Sequence, residues 1–445
     1  MNRRVHSISI AILLLCSTLL AGCGGTGDPK SPAPAVQSAI QAEPSVTAPL
    51  SPPPEYSTPE GNNCFMRYGK YVYYIPATDI SDGSPLYRMH EDGSGAEPLL
   101  PGEGVTGFFI AGERLYATGQ KRKDDNQRET ILHEIRQDGS ITEVKRYADG
   151  LLRTCENELY FTPLDPLQDM ELAEEKERQW SNITGNGTGL TAKWIANNIF
   201  RIDGYLYYIY SVADVPGKKY HQMLVRALPD GKKEKTLAKG QLLYSDLLQC
   251  GNYLVFTNRI GYYRMQLWAL ELVSGNKTLL YDTDKVHNAS GDMKVIGTQG
   301  GWVYFTGQSK NKRKMLFKVK PDIAKGVETV WDGNTCQGEL WDVDLPGGYI
   351  YYGSFVRLAE EEQYMNSNDY HYILRSHRCR LDGSEDILFC DRSAQGPVTI
   401  GDWIYFSAAD KEIKTITMQR YNTITKVLEE IPNGLVTDLT KLERL

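Results

Sequence analysis

The residues that could do chemistry are scattered along the 445-residue chain, and none falls into a complete motif. His133-Glu134 lacks the second histidine that a zinc-protease helix needs, and no Gly-x-Ser-x-Gly elbow presents a serine nucleophile. Gly185-Asn186-Gly187-Thr188-Gly189 neither follows a strand nor opens a helix, so it reads as turn chemistry rather than a phosphate cradle. Asp282-x-Asp284 and Asp342-x-Asp344 do not continue into the glycine and glutamate of a calcium loop. His371, His377 and Cys379 share strand parity, yet His371 stands about 20 Å from the other two at the usual strand rise. No catalytic residue, metal ligand or cofactor is therefore assigned from spacing. Paired carboxylates for glycoside cleavage stay open, because a fold can join acids that no spacing reveals.

Composition narrows the class. The chain has 49 basic and 56 acidic residues, and its net charge is −7, or −9 without Arg3 and Arg4. A nucleic-acid partner is not expected, since phosphate neutralisation needs a basic surface. Tyrosine is in excess, 28 against 11 phenylalanines, which suits half-buried strands whose rings pack inward while the hydroxyls reach water.

Arg3 and Arg4 precede an apolar run from Ile8 to Leu20, too short for a permanent membrane span and of signal-peptide size. It ends Leu20-Ala21-Gly22-Cys23, which resembles the lipobox of bacterial lipoproteins. That resemblance implies cleavage after residue 22, acylation of Cys23, and an extracytoplasmic protein whose membrane partner is reached through its N-terminal lipid. Two or more acyl chains anchor firmly where one holds only marginally. Residues 23–61 are rich in Pro, Ala, Ser and Gly, and include Pro52-Pro53-Pro54, so they predict a disordered tether.

From residue 62 to 445 one pattern recurs: a tight turn, then an alternating apolar and aromatic run. The runs include Tyr71-Val72-Tyr73-Tyr74, Leu115-Tyr116, Leu159-Tyr160-Phe161, Leu206-Tyr207-Tyr208 and Leu254-Val255-Phe256. Val303-Tyr304-Phe305, Ile350-Tyr351-Tyr352 and Ile404-Tyr405-Phe406 complete a set of eight, spaced 43 to 54 residues apart. Asp92-Gly93, Asp138-Gly139, Asp230-Gly231 and Asp382-Gly383 follow within their units and predict type I′ hairpins. An all-β protein follows, a β-propeller of eight four-stranded blades, with six or seven as alternatives. The tail Gly434-Leu435-Val436-Thr437 repeats the opening of a unit and is expected to pair beside the first blade. The six cysteines left after processing and acylation, Cys64, Cys155, Cys250, Cys336, Cys379 and Cys390, read as buried free thiols.

Leu86-Tyr87-Arg88-Met89-His90-Glu91-Asp92-Gly93-Ser94-Gly95, echoed by Arg380-Leu381-Asp382-Gly383-Ser384, is similar to propellers related to the YWTD repeats of the low-density-lipoprotein receptor. It resembles in particular a family of bacterial lipoproteins carrying such a propeller. No unit contains the tetrad itself. The resemblance implies binding rather than chemistry.

Insertions between second and third strands cluster on one face of such a ring: Lys121 to Arg128, Pro163 to Arg178, and Arg357 to Tyr372. Long loops on a rigid scaffold commonly carry function. Arg122, Lys123, Asp165, Glu174, Glu175, Arg357, Tyr364 and Tyr370 are the candidate ligand-binding residues. The leading expectation is thus a lipid-anchored, non-enzymatic propeller that binds an envelope protein, peptide or glycan. The alternatives are an envelope hydrolase or lyase acting on polysaccharide or peptide, and an envelope-assembly scaffold. Cys23→Ala tests the anchor: the variant is expected to leave the detergent phase in phase separation, and normal partition would contradict lipidation at that residue.

Overall fold

The computed structural model describes residues 56–57 and 65–438, apart from 77–84, 101–102, 112–113, 123–127, 148–149, 156–157, 164–177, 183–189, 193–198, 214–219, 244–246, 261–263, 284–292, 309–313, 323–325, 333–337, 358–371 and 410–414. Among these residues all regular structure is β. Apart from Tyr56–Ser57, the strands fall in chain order into eight successive antiparallel groups of four, the third to fifth of them joined in one sheet. Every aromatic run lies on the second strand of its group: Tyr71–Tyr74, Arg114–Arg122, Glu158–Pro163, Tyr205–Ala213, Tyr253–Arg259, Trp302–Gln308, Tyr349–Arg357 and Trp403–Ala409. First strands of neighbouring groups approach one another, and Cys155 pairs in parallel with Ile199 across two of them, so the first strands face the axis.

Successive side chains of a strand point to opposite faces, and here both faces are apolar. Tyr73 points into a core shared with the second unit, built with Val105, Leu115, Ala117 and Ile135. Its neighbour Tyr74 joins Ile400, Tyr405, Ile416 and Met418 of the eighth unit. Tyr352 likewise packs with Tyr304, Leu316 and Trp331 of the sixth unit, whereas Tyr351 packs with Ile404 and Phe406 of the eighth. Each core among the described residues joins two consecutive units, and one joins the last to the first. The fold is a β-propeller.

The hairpins divide by place. Between first and second strands, Asp203-Gly204 and Gly300-Gly301 take positive φ at both residues, as a type I′ turn requires. The Asp-Gly turns between third and fourth strands differ from the expected type I′. Gly93 N–H donates to His90 O, His90 N–H donates to Ser94 O, and of Asp92 and Gly93 only the glycine has positive φ. This is a type I turn closed by a glycine bulge, and Gly139, Gly231 and Gly383 repeat it. The aspartate serves the turn by accepting the N–H two residues on, from Ser94, Ser140, Lys232 or Ser384.

A cation then fastens unit to unit. Arg420, on the eighth unit's third strand, lies 3.9 Å over the Trp403 ring and pairs with Glu429. Its two Nη atoms reach across the seam to the carbonyls of Glu91 and Asp92 in the first unit's turn. Arg88 stacks on Tyr71, pairs with Glu97 and donates to Gly139 O of the second unit's turn. A Cβ at Gly93 or Gly139 would collide with that guanidinium, so glycine is needed there for space as well as for φ.

The tail departs from expectation. Leu428–Asp438 is the outer strand of the eighth unit, with Thr437 opposite Ile416 and Asp438 opposite Thr415. The eight-residue third strand leaves an edge long enough for the chain to continue on it. Register shifts there accommodate Pro432, which has no N–H to offer the ladder. Among the described residues the first and eighth units meet through the packed seam, with Tyr74 Oη donating to Pro432 O at 2.8 Å. Within the segment expected to be a tether, Tyr56–Ser57 pairs antiparallel with Thr298 and Gln299 on the inner edge of the sixth unit.

Tyr207, 5% exposed between the fourth and fifth units, is core. Tyr207→Ala is expected to destabilise by about 3 kcal/mol or more. Arg420→Ala should cost about 2 kcal/mol, because it strips two turn carbonyls of donors and removes the cation from the Trp403 ring. Denaturant titration of both variants checks the pair of values; an Arg420→Ala midpoint equal to the parent's would show that the clamp contributes nothing.

Candidate functional site

Of the loop-face residues singled out above, the structure places two. Arg122 ends the second strand of the second unit, paired with Arg128, and Arg357 ends that of the seventh, paired with Tyr372. Lys121, Arg122 and Arg128 thus belong to paired strands, and residues 123–127 lie outside the described residues. Lys123, Asp165, Glu174, Glu175, Tyr364, Tyr370 and Cys23, the expected lipidation residue, lie outside the described residues.

The densest catalytic-type constellation is in the seventh unit, on the face turned toward the sixth. Tyr352 and His377 are directly opposite each other on the second and third strands, and Ser354 follows Tyr352 on the same face. That register brings Ser354 Oγ to 2.9 Å from His377 Nε2. On the far side of the imidazole, Asp386 Oδ1 stands 3.4 Å from Nδ1, too long for a hydrogen bond, which leaves Nδ1 buried without a hydrogen-bonding partner. Tyr352 holds both groups. Its ring stacks on His377 with centroids 4.9 Å apart and planes 17° apart, and its hydroxyl donates to Asp386 Oδ1 at 2.8 Å. Trp331 of the sixth unit closes the other side of the tyrosine. The His377 side chain is 17% exposed and that of Asp386 47%, so solvent reaches the carboxylate end.

The arrangement is the order serine, imidazole, carboxylate that nucleophilic acyl transfer uses. Apo enzymes often show such bonds long, and they tighten when substrate binds. Sequence reading assigned no catalytic residue, and it missed this one because Ser354, His377 and Asp386 meet through hairpin register rather than spacing. The shared parity of His377 and Cys379 was weighed against metal binding and set aside, and it did not point to Ser354.

Other titratable groups are committed to structure. Asp282 accepts from both Nε and Nη2 of Arg264 and from Gln266. Asp344 accepts the Gly347 N–H, and burial pushes its carboxyl above the usual carboxylate range. His133 Nε2 bonds Glu103 at 2.8 Å. Cys250, Cys379 and Cys390 are buried, the first and last as free thiols; burial pushes the Cys250 thiol up to about 12, so it is no nucleophile at neutral pH. Among the described residues no group of three or more His, Cys, Asp or Glu side chains could hold a metal ion. No helix among them is long and apolar enough to cross a membrane.

No family model matches the chain, and no curated protein matches it in sequence. Solved structures do align with it. One of two prolyl endopeptidases analysed for inter-domain dynamics aligns at TM-score 0.45 and 11% identity, over 84% of this chain and 49% of that one. An acylaminoacyl peptidase of Pyrococcus horikoshii aligns at 0.43 and 10%, over 77% and 54%. The β-propeller domain of the Trilobed protease from Pyrococcus furiosus, described as having an open velcro topology, aligns at 0.42 and 11%, over 72% and 96%. The chain spans about half the length of the first two peptidases. These neighbours are peptidases, and with them the expectation of a binding propeller as the main function is set aside; the likeness itself is one of fold. At such identities and TM-scores they assign neither a site nor a substrate, which rest on the chain's own geometry.

Proposed function

We propose that the chain is a hydrolase of acyl bonds in peptides, with Ser354 as nucleophile, His377 as general base and Asp386 as the carboxylate that orients the imidazole. The observation that carries this reading is the 2.9 Å contact between Ser354 Oγ and His377 Nε2, with a carboxylate on the opposite ring nitrogen. With the ring proton on Nδ1, Nε2 takes the Ser354 proton as Oγ attacks the substrate carbonyl. Asp386 then stabilises the imidazolium, and the same proton passes to the leaving amine. Water repeats the sequence on the acyl-enzyme. Tyr352 fixes the ring plane by stacking and fixes Asp386 by its hydroxyl, so the geometry does not have to be assembled at the moment of reaction. A serine, histidine and carboxylate set acts on amides and esters rather than on glycosidic bonds, which favours peptide over polysaccharide. The Leu20-Ala21-Gly22-Cys23 sequence supports a further proposal, that this chemistry takes place outside the cytoplasm on a lipid-anchored protein.

The test is a panel of chromogenic peptide anilides and esters. The full chain is expected to turn over at least one, and Ser354→Ala to lower kcat/KM by about a thousandfold or more with the melting temperature unchanged. Asp386→Asn should lower it as well, mainly through kcat. Undiminished turnover in Ser354→Ala, or none by the parent across the panel, would contradict the proposal.

A further inference from the structure

Five units place a cation at one repeat position, the third-strand residue opposite the central tyrosine of the second strand. The pairs are Arg88 with Tyr73, Arg226 with Tyr207, Lys318 with Tyr304, Arg378 with Tyr351 and Arg420 with Tyr405. In each, the cation lies over the aromatic ring that opens the second strand, at 3.9 to 4.6 Å from its centroid.

What differs is the counter-ion. In the first, sixth and eighth units the fourth strand pairs a glutamate with this position, and Glu97, Glu328 and Glu429 form ion pairs with their cations. The fourth unit offers Lys235 instead, and its Arg226 remains half-buried, where water can reach it. The seventh unit offers Ile387. Yet Arg378 is 3% exposed. Its Nη1 donates to the neutral Thr399 hydroxyl at 3.2 Å, and its Nε has no hydrogen-bond partner.

No carboxylate pairs with this guanidinium among the described residues, although Asp344 and Asp342 both act on the adjoining Tyr351 hydroxyl. Asp344 is within electrostatic reach but forms no ion pair with Arg378 among the described residues; its own oxygen is engaged by the Gly347 N–H. Burial raises the carboxyl of that acid, while Arg378 and the Gly347 N–H act the other way. A buried guanidinium without a paired anion carries a large desolvation cost. The hydroxyls beside it add a donor. Tyr351 Oη and Thr399 Oγ1 are 2.6 Å apart, so one hydroxyl proton is spent between them. Arg378 occupies an acceptor site on Thr399, which leaves the second hydroxyl proton without an acceptor among these groups.

We propose that the seam between the seventh and eighth units is an oxyanion-binding site, in which a carboxylate or phosphate group completes Arg378 and accepts from the Tyr351–Thr399 hydroxyl pair. The site does for a ligand's anion what Glu97 and Glu429 do within their own units. It is separate from Ser354 and His377, which face the opposite seam, and it stands or falls independently of the hydrolase reading.

Thermal unfolding of the full chain is the test, with sodium acetate or inorganic phosphate replacing chloride at constant ionic strength. A saturable rise in melting temperature is expected with at least one of the two, and the probe that saturates at lower concentration distinguishes a carboxylate site from a phosphate site. Arg378→Met should abolish the rise. Thr399→Val, which keeps the shape and removes a hydroxyl, should raise the half-saturating concentration by about tenfold, and it provides the readout if Arg378→Met does not fold. Asp344→Asn should leave the response in place. No saturable rise with either anion, an undiminished rise in Arg378→Met or Thr399→Val, or loss of the response in Asp344→Asn would overturn the proposal, the last by showing Asp344 to be the counter-ion.

Discussion

Two-sided burial of the second strand is the constraint on which the rest of this structure depends. With Tyr73 directed into one seam and Tyr74 into the other, a single four-stranded unit would expose large aromatic surface on both faces. A stack of units covers all but its two ends, and a ring covers those as well. The seam between the eighth and first units is built like the others, from Phe65 and Tyr74 against Tyr405 and Met418. The arginine clamps are the polar counterpart of this packing. They bind the turn of the next unit through its carbonyl groups, which fixes rotation between neighbours that apolar contact alone leaves free.

Much of this architecture was legible in the sequence because it is periodic. The aromatic pairs at near-constant spacing marked the second strands, and the Asp-Gly pairs marked the outer hairpins. The turn type was not legible, because Asp-Gly suits both a type I′ turn and a type I turn with a glycine bulge. The same turn forms at Gly383, where nothing stands beside the glycine, so the arginines at Gly93 and Gly139 pack against the turn without selecting it. The tail misled for a related reason. Gly434-Leu435-Val436-Thr437 has the local look of an opening strand, but the free edge of Thr415–Asn422 is adjacent and captures it first.

The candidate site was not legible, and the reason is geometric. Ser354, His377 and Asp386 are brought together by strand register and by the bend of one hairpin, and no spacing rule encodes that meeting. Arg378 is legible only by comparison between units, since an arginine beside an isoleucine means little until the repeats supply the glutamate it lacks. A ring that assembles its seams from one pattern makes departures from that pattern informative, and here the seventh unit departs on both of its faces.

The central claim is that Ser354 is an activated nucleophile and not a structural hydroxyl. Mass spectrometry of the folded full chain after treatment with a fluorophosphonate, followed by peptide mapping, tests it most directly. The account predicts a single adduct at Ser354, lost when the protein is unfolded before labelling and lost in His377→Gln. An unlabelled Ser354 in the folded protein, or equal labelling with and without His377, would contradict it.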